Sequence, residues 1–456
     1  MKWSNALISK PLVKLPDELY ETALQLFKNL VSYMGDRKSS KKNPYHHLKK
    51  YLKLTMNATE DIKDEAYVQV LKQIAHNPNY DKCLRGWNFM AILASTYTPS
   101  TQLYYSLLNY LIYEVNNNLD KNIVKRANYV IARLLRTFEG RRKQVPSEVE
   151  LKHIEAMKPI MFPVYFFSET HTMVPMESYT TVRELKSTIM RKLQLSISRI
   201  PYYALYEVCN KEEIIEERFL DDMDKVVDVT SLWERETEDH NSRNSPINFQ
   251  IYLKIQLYYG YKQDDIDTIT MHYVQTCYDV NKGKFHLDVE DIATLGAIQL
   301  TVDYFETSHE EINKNLEKNL SRYVPCNKIK TSEPSFWCKK IFLAYTTLKL
   351  KNKLEAKLTY LEHLKQNSLW EAHQYYCSYS KTFNLENPNN FPEKLIIGIK
   401  PTGLTIQDLD RNELLFISYS GITSWGVNNS VFVVVLQKNE TEYVKHYFDS
   451  NQVRIY

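Results

Sequence analysis

Between Arg85 and Ser100 the chain reads RGWNFMAILASTYTPS, and its apolar residues return every three or four positions. Trp87, Met90, Ala91 and Ala94 share one side of a helix, and Pro99-Ser100 closes the run. That side is expected to be buried. Gly86, the only glycine between Gly35 and Gly140, is expected where the backbone is tight or a neighbouring helix comes close. The preceding helix fits as that neighbour: DEAYVQVLKQIAHNP sets Tyr67, Val70, Leu71 and Ile74 in one stripe before the loop signal Asn77-Pro78. Upstream, DELYETALQLFKNLVSYMGD starts after Pro16, faces inward with Leu19, Ala23, Leu26, Leu30 and Met34, and stops at Gly35, placed as a C-terminal cap. Downstream, Ile123, Val124, Ala127, Val130, Ile131, Leu134 and Leu135 define the inner face of the last helix of this region, which stops at Gly140.

After EVELKHIEAMKP the period changes from helix to strand. PIMFPVYFF and HTMVPME read as strands, Thr181 to Glu184 as a capping box opening the helix TVRELKSTIMRKLQL, and IPYYALYEV as strand again, a β-grasp order. The polar, acidic stretch Glu212 to Asn244 is expected to be a flexible excursion before the strand Ile247 to Tyr259. From about Gly260 helices return, with Ile266, Ile269, Tyr273, Val274 and Cys277 in one stripe, then DVEDIATLGAIQLTVDYF, then Trp337 to Leu350 and Leu354 to His373; Glu306 to Ser335 reads as partly loop. The end is β once more: LIIGIKPTGLTIQD, ELLFISYSGITSW and VFVVVLQ predict a pleckstrin-homology-like sheet.

Composition adds three constraints. The 456 residues allow about three domains of ~150 residues. No apolar run approaches the ~18 residues of a membrane span, and MKWSNALISK lacks a signal-peptide core, so an intracellular chain with no integral membrane segment is expected. The six cysteines are scattered with no CxxC pair and are expected as free thiols; no metal or cofactor is expected. Cys377 follows His373 by four residues, but one such pair does not make a four-ligand site. Residues 1 to 157 carry 24 Lys and Arg against 15 Asp and Glu, whereas the remainder carries 34 against 40. The basic character belongs to one region.

Within that region, RKSSKKNPYHHLKKYLK holds Arg37, Lys38, Lys41, Lys42, Lys49, Lys50 and Lys53, and a second group comprises Arg133, Arg136, Arg141, Arg142 and Lys143. These twelve are candidates for contact with a polyanion, although charge runs also arise as plain solvated faces. No finger, basic-zipper or stacking motif accompanies them, which disfavours nucleic acid. GIKPTGLT approaches a phosphate-binding loop, but Leu404 stands at the lysine position and a strand-turn-strand hairpin explains both glycines. No nucleotide site or catalytic residue is expected. The nearest enzymatic cluster, His363, His373 and Cys377, lacks a nucleophile motif.

EAYVQVLKQIAHNPNYDKCLRGWNFMAILASTYTPS resembles the signature of the myosin tail homology 4 domain, a helical bundle. Ubiquitin-like, helical and pleckstrin-like lobes in that order resemble a FERM domain, most closely in FPEKLIIGIKPTGLTIQDLDRNELLFISYSGITSW. The resemblance implies a multidomain α plus α+β chain: a helical domain over 1–157, then FERM lobes over 158–259, 260–373 and 374–456. Such tandems resemble the tail of a class VII-like unconventional myosin, or of class X or XV. The chain departs from the pattern twice: a glycine is missing where the second lobe ends in SLWEAHQYY, and the sequence stops at Tyr456, where a C-terminal helix would follow the last strand.

By resemblance, the tandem is a non-catalytic cargo-binding and regulatory module of an actin-based motor with an ATPase elsewhere in the parent. Implied partners are a cargo protein or peptide (an adhesion receptor tail, a talin-like or scaffold protein), microtubules, and the parent's own motor domain. The implied setting is cytoplasmic and cytoskeleton-associated, at the cortex or in filopodia, in adhesion, phagocytosis or protrusion. Val431, Val433, Val435 and Gln437 are candidates for an edge strand to which an extended peptide adds, the alternative being that the valines are core strand residues. The alternative is a membrane adaptor of the talin or kindlin kind binding phosphoinositides, against which the net acidic FERM portion argues.

Overall fold

The computed structural model describes residues 2–450 except 44, 139, 141, 168–169, 196, 212–213, 242–246, 258–261, 263, 381, 384–388, 429 and 438–441. The chain divides into two compact units. The first comprises residues 1–164, 171–193 and 205–251, the second residues 165–170, 194–204 and 252–456.

The first unit opens with seven helices: α1 (Tyr20–Met34), α2 (His46–Thr55), α3 (Glu60–Ile74), α4 (Tyr80–Ala94), α5 (Thr101–Asn117), α6 (Lys121–Thr137) and α7 (Glu148–Ala156). The face predicted for α4 is buried, with Trp87, Met90, Ala91 and Ala94 all at most 2% exposed. Gly86 lies inside α4 because two helices crowd it: a Cβ there would stand 2.5 Å from Ile74 Cγ2 on α3 and 2.9 Å from Met34 Cε on α1. Gly35 caps α1 with φ +83°, the left-handed turn that a residue without Cβ takes most easily. The centre also holds polar groups. Glu65 of α3 is fully buried, and its carboxylate accepts the backbone N–H groups of Leu12 at 2.8 Å and Val13 at 2.8 Å, tying the N-terminal segment to the bundle. Leu135, expected inward, is 53% exposed; Arg133 takes the inner position instead.

Strands β1 (Ile160–Tyr165) and β2 (His171–Met176), helix α8 (Val182–Lys192), strands β3 (Tyr203–Lys211) and β4 (Ile214–Phe219), helix α9 (Val226–Asn241) and strand β5 (Ile247–Ile255) follow. Their sheet order, β2-β1-β5-β3-β4, is that of a β-grasp. The capping box forms as read, with Thr181 Oγ1 accepting from Glu184 N–H and the Glu184 carboxylate accepting from Thr181 N–H. The excursion expected over Glu212 to Asn244 is instead largely ordered structure, β4 and α9, with 212–213 and 242–244 outside the described residues. Val226, Val227 and Val229 anchor α9, and its polar residues Asp228 and Ser231 are buried too, which made a packed helix read as a loop.

In the second unit, α10 (Ile266–Asn281), α11 (Val289–Asp303), α12 (His309–Lys318), α13 (Pro334–Thr347) and α14 (Lys353–Lys365) form a bundle. Helix α11 buries residues on every side, among them Ile292, Leu295, Ala297, Ile298 and Leu300, as a central helix does. Ile266, expected inward, is 56% exposed, and α12 occupies part of the stretch read as loop. His373 belongs to a strand rather than to the last helix. Seven strands then make one antiparallel sheet: β6 (His373–Tyr379), β7 (Lys394–Lys400), β8 (Gly403–Gln407), β9 (Glu413–Ser418), β10 (Ile422–Asn428), β11 (Val431–Gln437) and β12 (Tyr443–Asp449). Its order is β10-β11-β12-β6-β7-β8-β9. Both glycines of GIKPTGLT serve the β7–β8 hairpin: a Cβ on Gly398 would meet Thr405 Cγ2 at 2.6 Å, and one on Gly403 the Ile417 carbonyl oxygen at 2.2 Å.

Candidate functional site

The twelve candidate cations fall into two groups, and the structure treats them differently. Five are spent inside the first unit, on acids of the β-grasp lobe. Lys49 Nζ reaches Glu234 at 2.7 Å, Arg133 reaches Glu177 at 2.5 Å, Arg136 pairs with Glu184, and Lys143 Nζ reaches Asp224 at 2.8 Å. Arg142 is the most enclosed. Its Nε lies 2.6 Å from Asp228 and its Nη1 pairs with Glu150, with the arginine and Glu150 side chains each 1% exposed.

Local geometry explains why Arg142 is held there. Residues 142–147 run alongside α9, and Asp228 accepts the N–H groups of Lys143 and Gln144, each at 2.9 Å, while Ser231 Oγ accepts that of Ser147 at 3.2 Å. Burial pushes the Glu150 carboxyl up, and Arg142 acts against that rise. For Glu184, burial also pushes upward, but the Thr181 N–H and the Arg136 guanidinium outweigh it and hold the carboxyl below the usual carboxylate range. On α6, Arg133 and Arg136 also stack on aromatic rings, Arg133 at 3.7 Å from the Tyr129 centroid and Arg136 at 4.7 Å from that of Tyr179. These five side chains pair a helical domain with acids of its neighbour; Arg133 and Arg142 are buried, whereas the Lys143 side chain stays 57% exposed.

Six others remain on the surface: Arg37, Lys38, Lys41, Lys42, Lys50 and Lys53 are exposed, and none is in an ion pair among the described residues. After Gly35 the Arg37 N–H bonds the Val31 carbonyl at 3.1 Å, and α2 turns Lys50 and Lys53 outward one turn apart. His47 registers the crowding. Burial lowers its affinity for a proton, and the charges of His46, Arg37, Lys50 and Lys41 lower it further. Arg141 lies outside the described residues.

The strand expected to form an open edge does not. Val431, Val433, Val435 and Gln437 lie on β11, which pairs with β10 on one side and β12 on the other, so both of its ladders are used. Among the described residues the outer strands of the sheet are β9 and β10. A run as apolar as VFVVVLQ is itself a sign of an interior strand, whereas β10, ITSWGVN, mixes polar residues with a 70% exposed Trp425 and carries an irregularity between Ile422 and Ser424. Sequence reasoning passed over it.

The other chemical candidates resolve as structural. His373 bonds the Gln256 carbonyl, His363 lies 2.9 Å from Asp291, and the Cys377 thiol faces the Leu395 carbonyl at 3.7 Å, so the three do not converge. Burial pushes Cys377 up to about 12. Among the described residues no group of His, Cys, Asp and Glu could hold a metal ion, and no helix is long and apolar enough to cross a membrane.

Comparison with known proteins agrees with this architecture. Residues 48–153 match the model of the MyTH4 domain, 158–257 that of the RA like domain and 261–375 that of the FERM central domain. Unconventional myosin heavy chain 6 of Caenorhabditis elegans is 24% identical over 445 residues, which is 94% of this chain and 20% of that protein. The chain thus spans about one fifth of the length of that relative. The solved MyTH4-FERM MF1 domain of Dictyostelium discoideum myosin VII is 21% identical with a TM-score of 0.82, covering 99% of this chain and 90% of that one. The C-terminal MyTH4-FERM domain of human myosin 7b, solved in complex with the harmonin-a PDZ3 domain, is 22% identical with a TM-score of 0.75, covering 99% and 90%. Family matches in this order, on helical, β-grasp, helical and sheet elements in the same order, identify the chain as a MyTH4 domain followed by a FERM domain.

Proposed function

We propose that this chain is the cargo-binding and regulatory tail module of an actin-based unconventional myosin, with domain limits near residues 157, 259 and 373. It acts by binding rather than catalysis. The observation that carries the polyanion part of this reading is the contrast between the two basic groups. The β-grasp lobe neutralises Lys49, Arg133, Arg136, Arg142 and Lys143, while Arg37, Lys38, Lys41, Lys42, Lys50 and Lys53 stay exposed on one continuous segment. An uncompensated cationic strip of this kind attracts an acidic polymer through long-range field and is screened by salt. The acidic tails of tubulin in microtubules have that chemistry. Protein cargo, such as the PDZ domain bound by the human myosin 7b module, is the second class of partner, and return of the module onto the parent motor the regulatory one. Work at the cell cortex or in filopodia, in adhesion or phagocytosis, follows from such a role.

The test is co-sedimentation with microtubules over a salt series. The variant Lys41→Glu, Lys42→Glu, Lys50→Glu, Lys53→Glu alters exposed residues only, and its fold is checked by circular dichroism. Wild type is expected to bind at low salt and release as salt rises, and the variant to lose about tenfold or more in affinity. No binding by wild type, or equal binding by both, removes the polyanion role; binding to phosphoinositide vesicles that the variant retains points to a membrane adaptor instead.

A further inference from the structure

Two serines stand in the middle of the cationic strip. In Arg37-Lys38-Ser39-Ser40-Lys41-Lys42 every residue is exposed, and residues 38–41 belong to no helix or strand. Such a stretch can be drawn into an enzyme's cleft at little cost, because no ladder or core contact has to break first. The two hydroxyls differ. Ser39 Oγ lies 2.7 Å from His47 Nε2 and accepts the Lys41 N–H at 3.1 Å, and His47 is itself held through Nδ1, 3.2 Å from Asn29 Oδ1 on α1. Ser40 Oγ has no protein partner among the described residues. Ser39 is tied to the bundle, and Ser40 is free to react.

The residues before Ser40 select the chemistry. Arg37 stands three positions ahead of it and Lys38 two, and Arg37 is the only arginine of the chain with a serine or threonine three residues after it. Kinases of the basophilic class choose their substrates by this charge pattern: acidic side chains in the substrate cleft pair with cations two and three residues before the acceptor hydroxyl. Both cations are available for such pairing. The nearest acid in sequence, Asp36, is taken by Lys82 at 3.0 Å, and neither Arg37 nor Lys38 is in an ion pair among the described residues. An accessible segment, a hydroxyl without a partner and a cation at the selecting position thus coincide at one residue.

We propose that Ser40 is a phosphorylation site for a basophilic serine/threonine kinase, and that the phosphate switches off the cationic strip. In the transfer the γ-phosphorus of MgATP bonds to Ser40 Oγ while its bond to the bridging oxygen of the β-phosphate breaks. ADP leaves with that electron pair, and the hydroxyl proton passes to the catalytic aspartate of the kinase. The product carries a charge of about −1.5 to −2 and three strong acceptor oxygens. Six exposed cations then amount to a net charge of about +4, and those flanking Ser40 hydrogen-bond the phosphate instead of a partner. Repulsion between the phosphate and an acidic polymer adds to the loss. The consequence rests on the polyanion reading; the choice of Ser40 as acceptor does not.

The test treats the whole 456-residue chain with MgATP and the catalytic subunit of cyclic AMP-dependent protein kinase, an arginine-directed enzyme, and maps the phosphate by tandem mass spectrometry. Ser40 is expected to carry it, Ser40→Ala to abolish it there, and Arg37→Ala to slow incorporation at least about tenfold. Both substitutions alter exposed side chains outside the core, and circular dichroism checks the fold. In co-sedimentation over a salt series the phosphorylated chain is expected to bind microtubules at least about fivefold more weakly than the unmodified one, and kinase-treated Ser40→Ala to bind as strongly as before. No phosphate on Ser40, incorporation indifferent to Arg37, or equal binding by the phosphorylated and unmodified chains overturns the proposal. An unmodified chain that leaves microtubules unbound overturns the polyanion reading and the switch with it, and the mapping alone then decides the acceptor.

Discussion

Replacing Arg142 by methionine keeps most of the side-chain volume and removes the cation shared by Glu150 and Asp228. All three side chains are at least nine-tenths out of solvent, so water does not screen what is left. The two carboxylates fare differently. Asp228 keeps the N–H donors of Lys143 and Gln144, whereas Glu150 loses the one cation that pairs with it among the described residues. Breaking a buried ion pair on one side costs about 3–5 kcal/mol, because the remaining charge is stranded. For a cooperative unit of this size that corresponds to a fall of roughly 6–20 °C in melting temperature. Calorimetry or urea unfolding of Arg142→Met reads the loss, and the double variant Arg142→Met/Glu150→Gln separates the cause. Removing the stranded charge is expected to return at least about 1 kcal/mol. A single variant within about 1 kcal/mol of wild type, or a double variant less stable than the single one, would refute the reasoning.

Two further perturbations follow from the second unit. Glu371, within the stretch SLWEAHQYY in which the family resemblance expects a glycine, holds φ +65°; left-handed backbone costs a residue with Cβ about 1–2 kcal/mol, so Glu371→Gly is expected to raise stability by roughly 0.5–1 kcal/mol after the extra freedom of the unfolded chain is counted, read as a higher urea midpoint. His272 and His373 are both pushed down to about 4, chiefly by burial, so between pH 6.5 and 4 the unfolded chain binds protons that the folded chain does not. Stability is therefore fully present above pH 6.5 and falls with acidification through that window, by up to about 1.4 kcal/mol per pH unit for each histidine, and His373→Gln is expected to flatten the slope measured by urea titrations at several pH values.

What the residues revealed in advance, and what they hid, has a physical pattern. The faces of α1, α3 and α4, the capping box at Thr181 and the close approach at Gly86 were all legible, because each is settled by near neighbours in sequence and by one period of burial. Helix α9 was not, since Asp228 and Ser231 look like loop residues until the segment after α6 supplies their hydrogen-bonding partners. The same distance effect divided the basic residues. Nothing near Arg133 or Arg142 in sequence announces Glu177 or Asp228, 44 and 86 positions away, so buried and exposed cations read alike. Strand β11 misled in another way: apolar alternation says that a strand is packed, and only the ladder shows which strand is left at the rim.

The ion pairs between the helical domain and the β-grasp lobe also bear on how fragments of this chain behave. Cutting after residue 157 to study the MyTH4 domain alone would strip Glu177, Glu184, Asp224, Asp228 and Glu234 from their partners. Arg133, Arg136 and Lys143 would lose the acids that the structure pairs with them, while Lys49 and Arg142 would keep only Glu148 and Glu150, so the fragment would show more net cation than the intact chain. Such a fragment would hold polyanions through cations that the intact chain pairs with its own acids, and would report an affinity that belongs to the cut rather than to the protein.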